Sequence, residues 1–324
     1  MSVGQRVLLL TDPSMDRHAA PGHPERPERR AAAAEGVARG AEVAGAEVQR
    51  RIPAPADEDA ILAIHAREYV AALDAFEGTG GGWVDPDTYV AVGSMAAARL
   101  AAGATIEAAR AALSGEATVA FAVVRPPGHH AAGRRAGGFC LFNNIAIAAA
   151  GLQREGLAER IAILDWDVHH GDGTQEIFDH HPEVLYASTH QRPLYPGTGA
   201  PGERGRGEGH GTMHNVTLAP GADDAAFVAA WTERLLPEVD AFAPAAILVS
   251  AGYDAHRNDP LAHLDLTSEG YRTVATAVGR LAARHGIRGI AAVLEGGYDL
   301  DALRDSVAAT VEGFLDGLAT PPSA

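Results

Sequence analysis

Four apolar residues, Ile161-Ala-Ile-Leu164, run straight into Asp165-Trp-Asp167-Val-His169-His170-Gly-Asp172. In an extended chain, residues two apart point the same way. Asp165, Asp167 and His169 therefore line one face of a strand end. Charges this close to a buried strand need a metal ion or one another. Carboxylate and imidazole are zinc ligands, and a catalytic zinc site takes three protein ligands and leaves one position open. Asp167 and His169 supply two, and Asp254, in Ala251-Gly-Tyr253-Asp254-Ala-His256, supplies the third. Two carboxylates offset the metal charge, so water is acidified less than in a site of three histidines, and a separate general base is needed. His129-His130, in Arg125-Pro-Pro-Gly-His129-His130, fit that role. Asp165 and Asp172 are left over from metal binding and can each orient one imidazole. Tyr298, on the Glu295-Gly-Gly turn, has a hydroxyl able to donate to an oxyanion opposite the metal.

These residues must be brought together by the elements that precede them. Apolar runs predict strands at Val7–Leu10, Thr118–Val124, 161–164, Val184–Ser188, Asn215–Leu218, Ala245–Ser250 and Gly289–Leu294. Helical stretches separate them. One opens at His23-Pro-Glu-Arg-Pro-Glu-Arg29 and runs toward Val48, its prolines suiting a helix start. Others cover Gly93–Leu113, Asn143–Arg154, Gly173–Phe178, Ala225–Asp240, Ser268–His285 and Leu300–Leu318. This alternation predicts an α/β fold, a parallel sheet covered by helices on both faces. No linker or repeat divides it, so 1–324 reads as one domain. In such sheets the site lies beyond the carboxyl ends of the strands, and His, Asp or Tyr follows one predicted strand after another.

Composition narrows the partners. The chain has 324 residues, is 47% hydrophobic and carries a net charge of −16, which disfavours nucleic acid or an anionic membrane and suits a cationic substrate. All 26 basic residues are arginine. The single cysteine, Cys140, allows no internal disulfide and fits a reducing cytoplasm. The N-terminal apolar run is too short for a signal peptide, and no run of about 20 apolar residues spans a membrane. Oligomeric state stays open.

Arg-Pro-Pro-Gly-His-His-Ala, Gly-Phe-Cys-Leu-Phe-Asn-Asn, Leu-Asp-Trp-Asp-Val-His-His-Gly-Asp-Gly-Thr and Ser-Ala-Gly-Tyr-Asp-Ala-His together resemble the zinc-dependent histone deacetylase superfamily. That group includes bacterial deacetylase-like and acetylpolyamine amidohydrolases on the arginase/deacetylase fold. The resemblance implies an amidohydrolase that removes an acyl group from acyl-lysine or a related acylated amine. It implies one catalytic zinc on Asp167, His169 and Asp254. It pairs His129 with Asp165 and His130 with Asp172, with His130 as the main base and acid, and gives Tyr298 the substrate carbonyl. Gly138, Phe139 and Cys140 match the wall of the acyl-lysine tunnel. A structural potassium matches Asp165, Asp167, His169, Ser188 and Thr189.

Three positions depart from the pattern or bear on substrate. Tyr195 stands where the second tunnel wall is usually Phe, placing a hydroxyl near the acyl group. The acid that grips a peptide backbone has no clear match; Asp85 and Asp87 are the candidates. Leu261, seven residues after Asp254, stands where polyamine-selective members carry an acid, so an apolar rim favours acyl-lysine peptides over acetylpolyamines. Asp85, Asp87 or Glu77 could still bring charge to the mouth. Two further readings are an arginase-like ureohydrolase, disfavoured by the paired histidines and Tyr298, and an inactive acyl-lysine binder, disfavoured because no ligand or base is missing.

Overall fold

Val7 and Leu9 leave the first strand on one side, Leu8 and Leu10 on the other, and the two pairs end in different hydrophobic cores. The structure, a computed structural model, describes residues 4–320. It begins with β1 (Arg6–Leu10), α1 (Glu28–Val43) and β2 (Glu47–Arg51), followed by the short helices α2 (Glu58–Leu62) and α3 (Arg67–Gly78). A small hairpin of β3 (Gly82–Trp83) and β4 (Tyr89–Val90) leads into the long α4 (Ser94–Ser114). Then come β5 (Val119–Ala122), α5 (Asn144–Arg154), β6 (Ile161–Asp165), α6 (Asp172–Phe178), β7 (Val184–Gln191) and β8 (Met213–Leu218). The chain continues through α7 (Asp224–Ala229), a π-helical turn over Ala230–Leu235, α8 (Leu236–Phe242), β9 (Ala246–Ala251), α9 (Ser268–Arg284), β10 (Ile290–Leu294) and α10 (Leu300–Leu318).

Eight strands form one sheet in the order β2-β1-β5-β10-β9-β6-β7-β8, and every neighbouring pair in it is parallel. Such a sheet must be covered on both faces, because its strands are apolar on both. Val37 of α1, Val274 and Val278 of α9, and Val307 and Val311 of α10 fill one core; the alanine-rich α4 and Ile145 and Ile147 of α5 fill the other. Small side chains let α4 lie close to the strands. All seven predicted strands occur, and the predicted α/β architecture holds.

The helix expected to run toward Val48 stops at Val43. Gly45, at φ 68°, turns the chain in the left-handed region that glycine adopts freely. Residues 47–51 then add β2 to the sheet edge, half exposed and so without an apolar signature. The expected helix over Ala225–Asp240 is α7 and α8 joined through the π-helical turn. On the surface, the cations of the ion pairs are arginines or histidines, as in Arg39–Asp305, Arg99–Asp74 and Arg272–Asp316. Among the described residues, no helix is long and apolar enough to cross a membrane.

Candidate active site

Four strands that lie side by side in the sheet, β5, β10, β9 and β6, deliver the predicted residues from their carboxyl ends. His129 and His130 follow β5, Tyr298 follows β10, Asp254 follows β9, and Asp167 and His169 follow β6. Adjacency in the sheet thus converges groups that are 169 positions apart at the extremes, from His129 to Tyr298.

Asp167, His169 and Asp254 meet with their ligand atoms within 4.8 Å of one another. His169 Nδ1 lies 3.1 Å from Asp167 Oδ1 and 3.1 Å from Asp254 Oδ2. One hydrogen cannot lie on both lines, whereas a cation among the three atoms satisfies all of them. Backbone N–H groups hold the rest of each carboxylate: Val168 donates to Asp254 Oδ1 at 2.9 Å, and Gly296 to Asp167 Oδ2 at 2.7 Å. Glycine is required at 296, since a Cβ there would stand 2.1 Å from Asp254 Oδ2 and 2.5 Å from Asp167 Oδ2. Burial, then the charge of Asp167, pushes the Asp254 carboxyl above its ordinary range. Two buried carboxylates beside one imidazole form a donor set that fits a divalent metal.

The two histidines next to this cluster have unequal partners. His129 Nδ1 donates to Asp165 Oδ2 at 3.1 Å, and that oxygen also accepts the Tyr186 hydroxyl at 2.9 Å. His130 Nδ1 donates to Asp172 Oδ1 at 2.7 Å, while Arg135 Nη2 donates to Oδ2 at 3.0 Å. Burial opposes a charge on His129, but the carboxylates of Asp165, Asp167 and Glu295 outweigh it and raise its pKa well above the ordinary value. Burial, reinforced by His129, lowers His130 to about 4. Burial also works against Asp172, but His130 and Arg135 outweigh it and hold the carboxyl at about 2.

A cavity of about 240 Å³ opens onto this cluster. His129, His130, Asp167, His169 and Tyr298 line its depth; Gly138, Phe139, Leu194, Tyr195, Leu261 and Asp87 also line it. Gly138 allows the wall to touch His130, because a Cβ there would fall 2.3 Å from its ring. Phe139 sits at φ 70°, costly for a non-glycine residue, and is held there by its N–H to Thr88 Oγ1 at 3.0 Å. Its ring meets His23 at 4.6 Å and Tyr298 at 5.9 Å, both edge-on.

Some expectations are corrected. Cys140 is fully buried and stands behind the wall rather than in it, its thiol turned toward the Gly138 carbonyl. Tyr195 lines the cavity and lies edge-on to His130 at 5.1 Å, with its hydroxyl 3.4 Å from where a Cβ on Gly137 would stand. Glu77 cannot bring charge to the mouth, because it accepts the N–H groups of Gly93 and Met95 at the start of α4. Asp85 Oδ1 accepts the N–H groups of Asp87 and Thr88, and of the two candidates Asp87 lines the cavity. His170 is tied to Thr198 and Gln175 and takes no place in the cavity. Ser188 stands beside Asp165 in the β6–β7 register and bonds His190, while Thr189 Oγ1 accepts the Trp231 indole N–H.

Other buried groups supporting the site carried no assignment from the sequence. Glu295 accepts the N–H groups of Gly128 and His129 and the Ser250 hydroxyl, fixing the turn that carries the histidines. Arg125 grips Glu25 through two bonds of 2.6 and 2.7 Å, and Glu25 also takes Arg29 at 3.0 Å. Arg29 in turn donates to the carbonyls of Glu295 and Gly297 and lies over the Tyr298 ring, 4.7 Å from its centroid. The available signal was Glu25 and Arg29, spaced i, i+4 among prolines. Asp259, five residues after Asp254, accepts the N–H of Tyr298 at 2.6 Å.

The family profile described as the histone deacetylase domain matches residues 23–314. The chain belongs to the histone deacetylase family. It is 44% identical over 294 residues to a probable deacetylase of Archaeoglobus fulgidus, covering 91% of this chain and 81% of that one. It is 38% identical over 283 residues to a histone deacetylase-like amidohydrolase of Pseudomonas aeruginosa, covering 86% of this chain and 73% of the relative. Among solved structures, the HDA15 HD domain superposes with a TM-score of 0.89 at 37% identity, covering 98% of this chain and 90% of that one. The protein is a hydrolase of the deacetylase and amidohydrolase kind, with the fold of its family.

Proposed function

We propose that this protein is a zinc-dependent deacylase that hydrolyses the linear amide of acyl-lysine or a related acylated amine. The observation that carries this reading is the meeting, around one cavity, of the Asp167–His169–Asp254 cluster, the His130–Asp172 pair and Tyr298. When bound, a divalent metal supplies the Lewis acidity that polarises the amide and acidifies water. The chain's own residues do the rest. His130, held neutral, takes a proton from the attacking water at Nε2 and returns it to the leaving amine. Asp172 orients it through Nδ1. His129, charged between Asp165 and Asp167, contributes a fixed positive field. Tyr298 donates its hydroxyl to the oxygen on which charge develops. Phe139 and Gly138 exclude water along the acyl-bearing side chain.

Asp165, Asp167, His169, Ser188 and Thr189 are proposed to hold a structural potassium, Ser188 lying beside Asp165 in the β6–β7 register, and a cytoplasmic location suits the unpaired Cys140. For the substrate, the apolar Leu261 at the rim favours acyl-lysine in peptides. Asp87, a carboxylate lining the same cavity, favours acetylpolyamine as the second reading. Turnover of an acetyl-lysine peptide by the zinc-loaded protein, lost on chelation and restored by zinc, tests the activity; no turnover of any acylated amine by fully metallated protein overturns it.

A further inference from the structure

Tyr298 sits on a turn with little stiffness of its own. It follows Gly296 and Gly297, and Gly297 lies at φ 115°, a region only glycine occupies readily. The hydroxyl can hold position only if the backbone under it is fixed by other groups. Arg29 fixes the carbonyl side of the turn, through Glu295 and Gly297. On the N–H side stands Asp259, from the loop after β9. Its Oδ2 accepts the N–H of Tyr298 at 2.6 Å and that of Asp299 at 3.4 Å, while its Oδ1 accepts the N–H of Leu261 at 3.0 Å.

This carboxylate is 7% exposed and makes no ion pair among the described residues; its partners are backbone N–H groups. Burial, then the nearby Asp254, raises this carboxyl to about 7, so it is costly to ionise here and its geometry, two oxygens each accepting backbone N–H groups of a different loop, is what it contributes. Capping α10 does not account for it, because Asp299 caps that helix by accepting the N–H of Ala302 at 2.8 Å. What Asp259 does is join two loops, one carrying the tyrosine and the other carrying the rim residue Leu261.

We propose that Asp259 is a positioning residue that sets the Tyr298 hydroxyl and the Leu261 rim as one unit, so that its contribution to the reaction passes through Tyr298. The inference rests on the proposed role of Tyr298 as oxyanion donor. Asp259 touches neither substrate nor metal ligand in this arrangement, and its removal leaves Asp167, His169 and Asp254 with their own backbone partners.

A double-mutant cycle on the zinc-loaded enzyme tests it, with kcat on an acetyl-lysine peptide as the readout and zinc content as the control. Asp259→Ala is expected to lower kcat by about tenfold or more, the scale of a misplaced reacting group, with zinc retained. In the Tyr298→Phe background the same substitution is expected to cost less than about twofold, because the hydroxyl it positions is already gone. Equal losses in both backgrounds overturn the inference, as does a loss explained by missing zinc. If Asp259→Ala fails to fold, Asp259→Asn serves, since its single amide oxygen can satisfy only one of the two loops. The same non-additivity is expected there at about threefold, and additivity again overturns it. Tyr298→Phe alone within about twofold of wild type overturns instead the role of Tyr298 itself.

Discussion

His130 and Asp172 lie 2.7 Å apart, Nδ1 to Oδ1, and Arg135 occupies the other oxygen of the same carboxylate. His129 has no such counterion on its acid: Asp165 is fully buried and shares its oxygen with the Tyr186 phenol. Two adjacent histidines, each with its own acid, are therefore pushed in opposite directions, His129 toward the charged form and His130 toward the neutral one. In the proposed reaction only the neutral one can accept a proton. His130→Ala is expected to lower kcat by at least about 10², the scale of general acid–base catalysis. Arg135→Ala should cost about fivefold or less, since Arg135 is half exposed and Asp172 keeps its bond to His130. Steady-state kinetics at matched zinc content checks both, and a His130→Ala enzyme with normal turnover removes His130 from the mechanism.

Among the described residues, three candidate ligands converge, and in the proposed site each is expected to be indispensable. Asp167→Ala and Asp254→Ala are expected to purify with little zinc and no activity, against about one zinc per chain in the wild type. Elemental analysis decides, and full occupancy in both variants would refute this ligand set.

Tyr298→Phe removes a hydroxyl and nothing else. It should keep the zinc and the fold while lowering kcat by roughly 10²–10³, the loss seen for one oxyanion donor. Thermal melts and zinc content of the variant alongside its kcat separate this from a packing defect.

Acid should act on the support of the site before the sheet. Burial alone would push Glu25 up, but Arg125 and Arg29 outweigh it and hold the carboxyl at about 2, below its ordinary 4.5. A lowered carboxyl stabilises the folded state fully above pH 4.5, and that contribution is lost as pH falls from there toward 2. The shift corresponds to something on the order of 3 kcal/mol. Glu25→Gln is expected to destabilise by about 3–5 kcal/mol at pH 7, because it leaves two buried guanidinium groups uncompensated, and to lose stability less steeply than wild type below pH 4.5. Urea unfolding at pH 7 and pH 4 gives both numbers; parallel pH dependence in the two proteins would show that Glu25 is not the responsible group.

Substrate choice turns on Leu261 and Asp87. An apolar rim offers nothing to a distal ammonium, and the long-range pull of a −16 charge is screened within about 8 Å at physiological salt. An acetyl-lysine peptide is expected to have the higher kcat/KM than acetylspermidine at both low and high salt. A tenfold polyamine preference that survives salt and disappears in Asp87→Asn would give the selection to Asp87.

The convergence of Asp167, His169, Asp254 and the paired histidines was legible because they follow apolar strands, and a strand end marks its residues in the chain. The supporting carboxylates were not. Glu295 and Asp259 work on backbone N–H groups, which every residue has, so nothing in the sequence marks their partners. β2 was read as helix because an exposed edge strand needs no apolar face, although Gly45 marked the break. The orientations of Cys140 and Tyr195 depended on local backbone, at Phe139 and in the loop after β7, where residue type says little about direction.

The absence of lysine from the surface ion pairs has a chemical side as well as an electrostatic one. A guanidinium stays protonated at any physiological pH and is a poor nucleophile. Acyl donors that modify lysine side chains therefore find no such target anywhere in this sequence. Lysine acylation has no site among these 324 residues, and none of them offers the acyl-lysine that the proposed activity would remove.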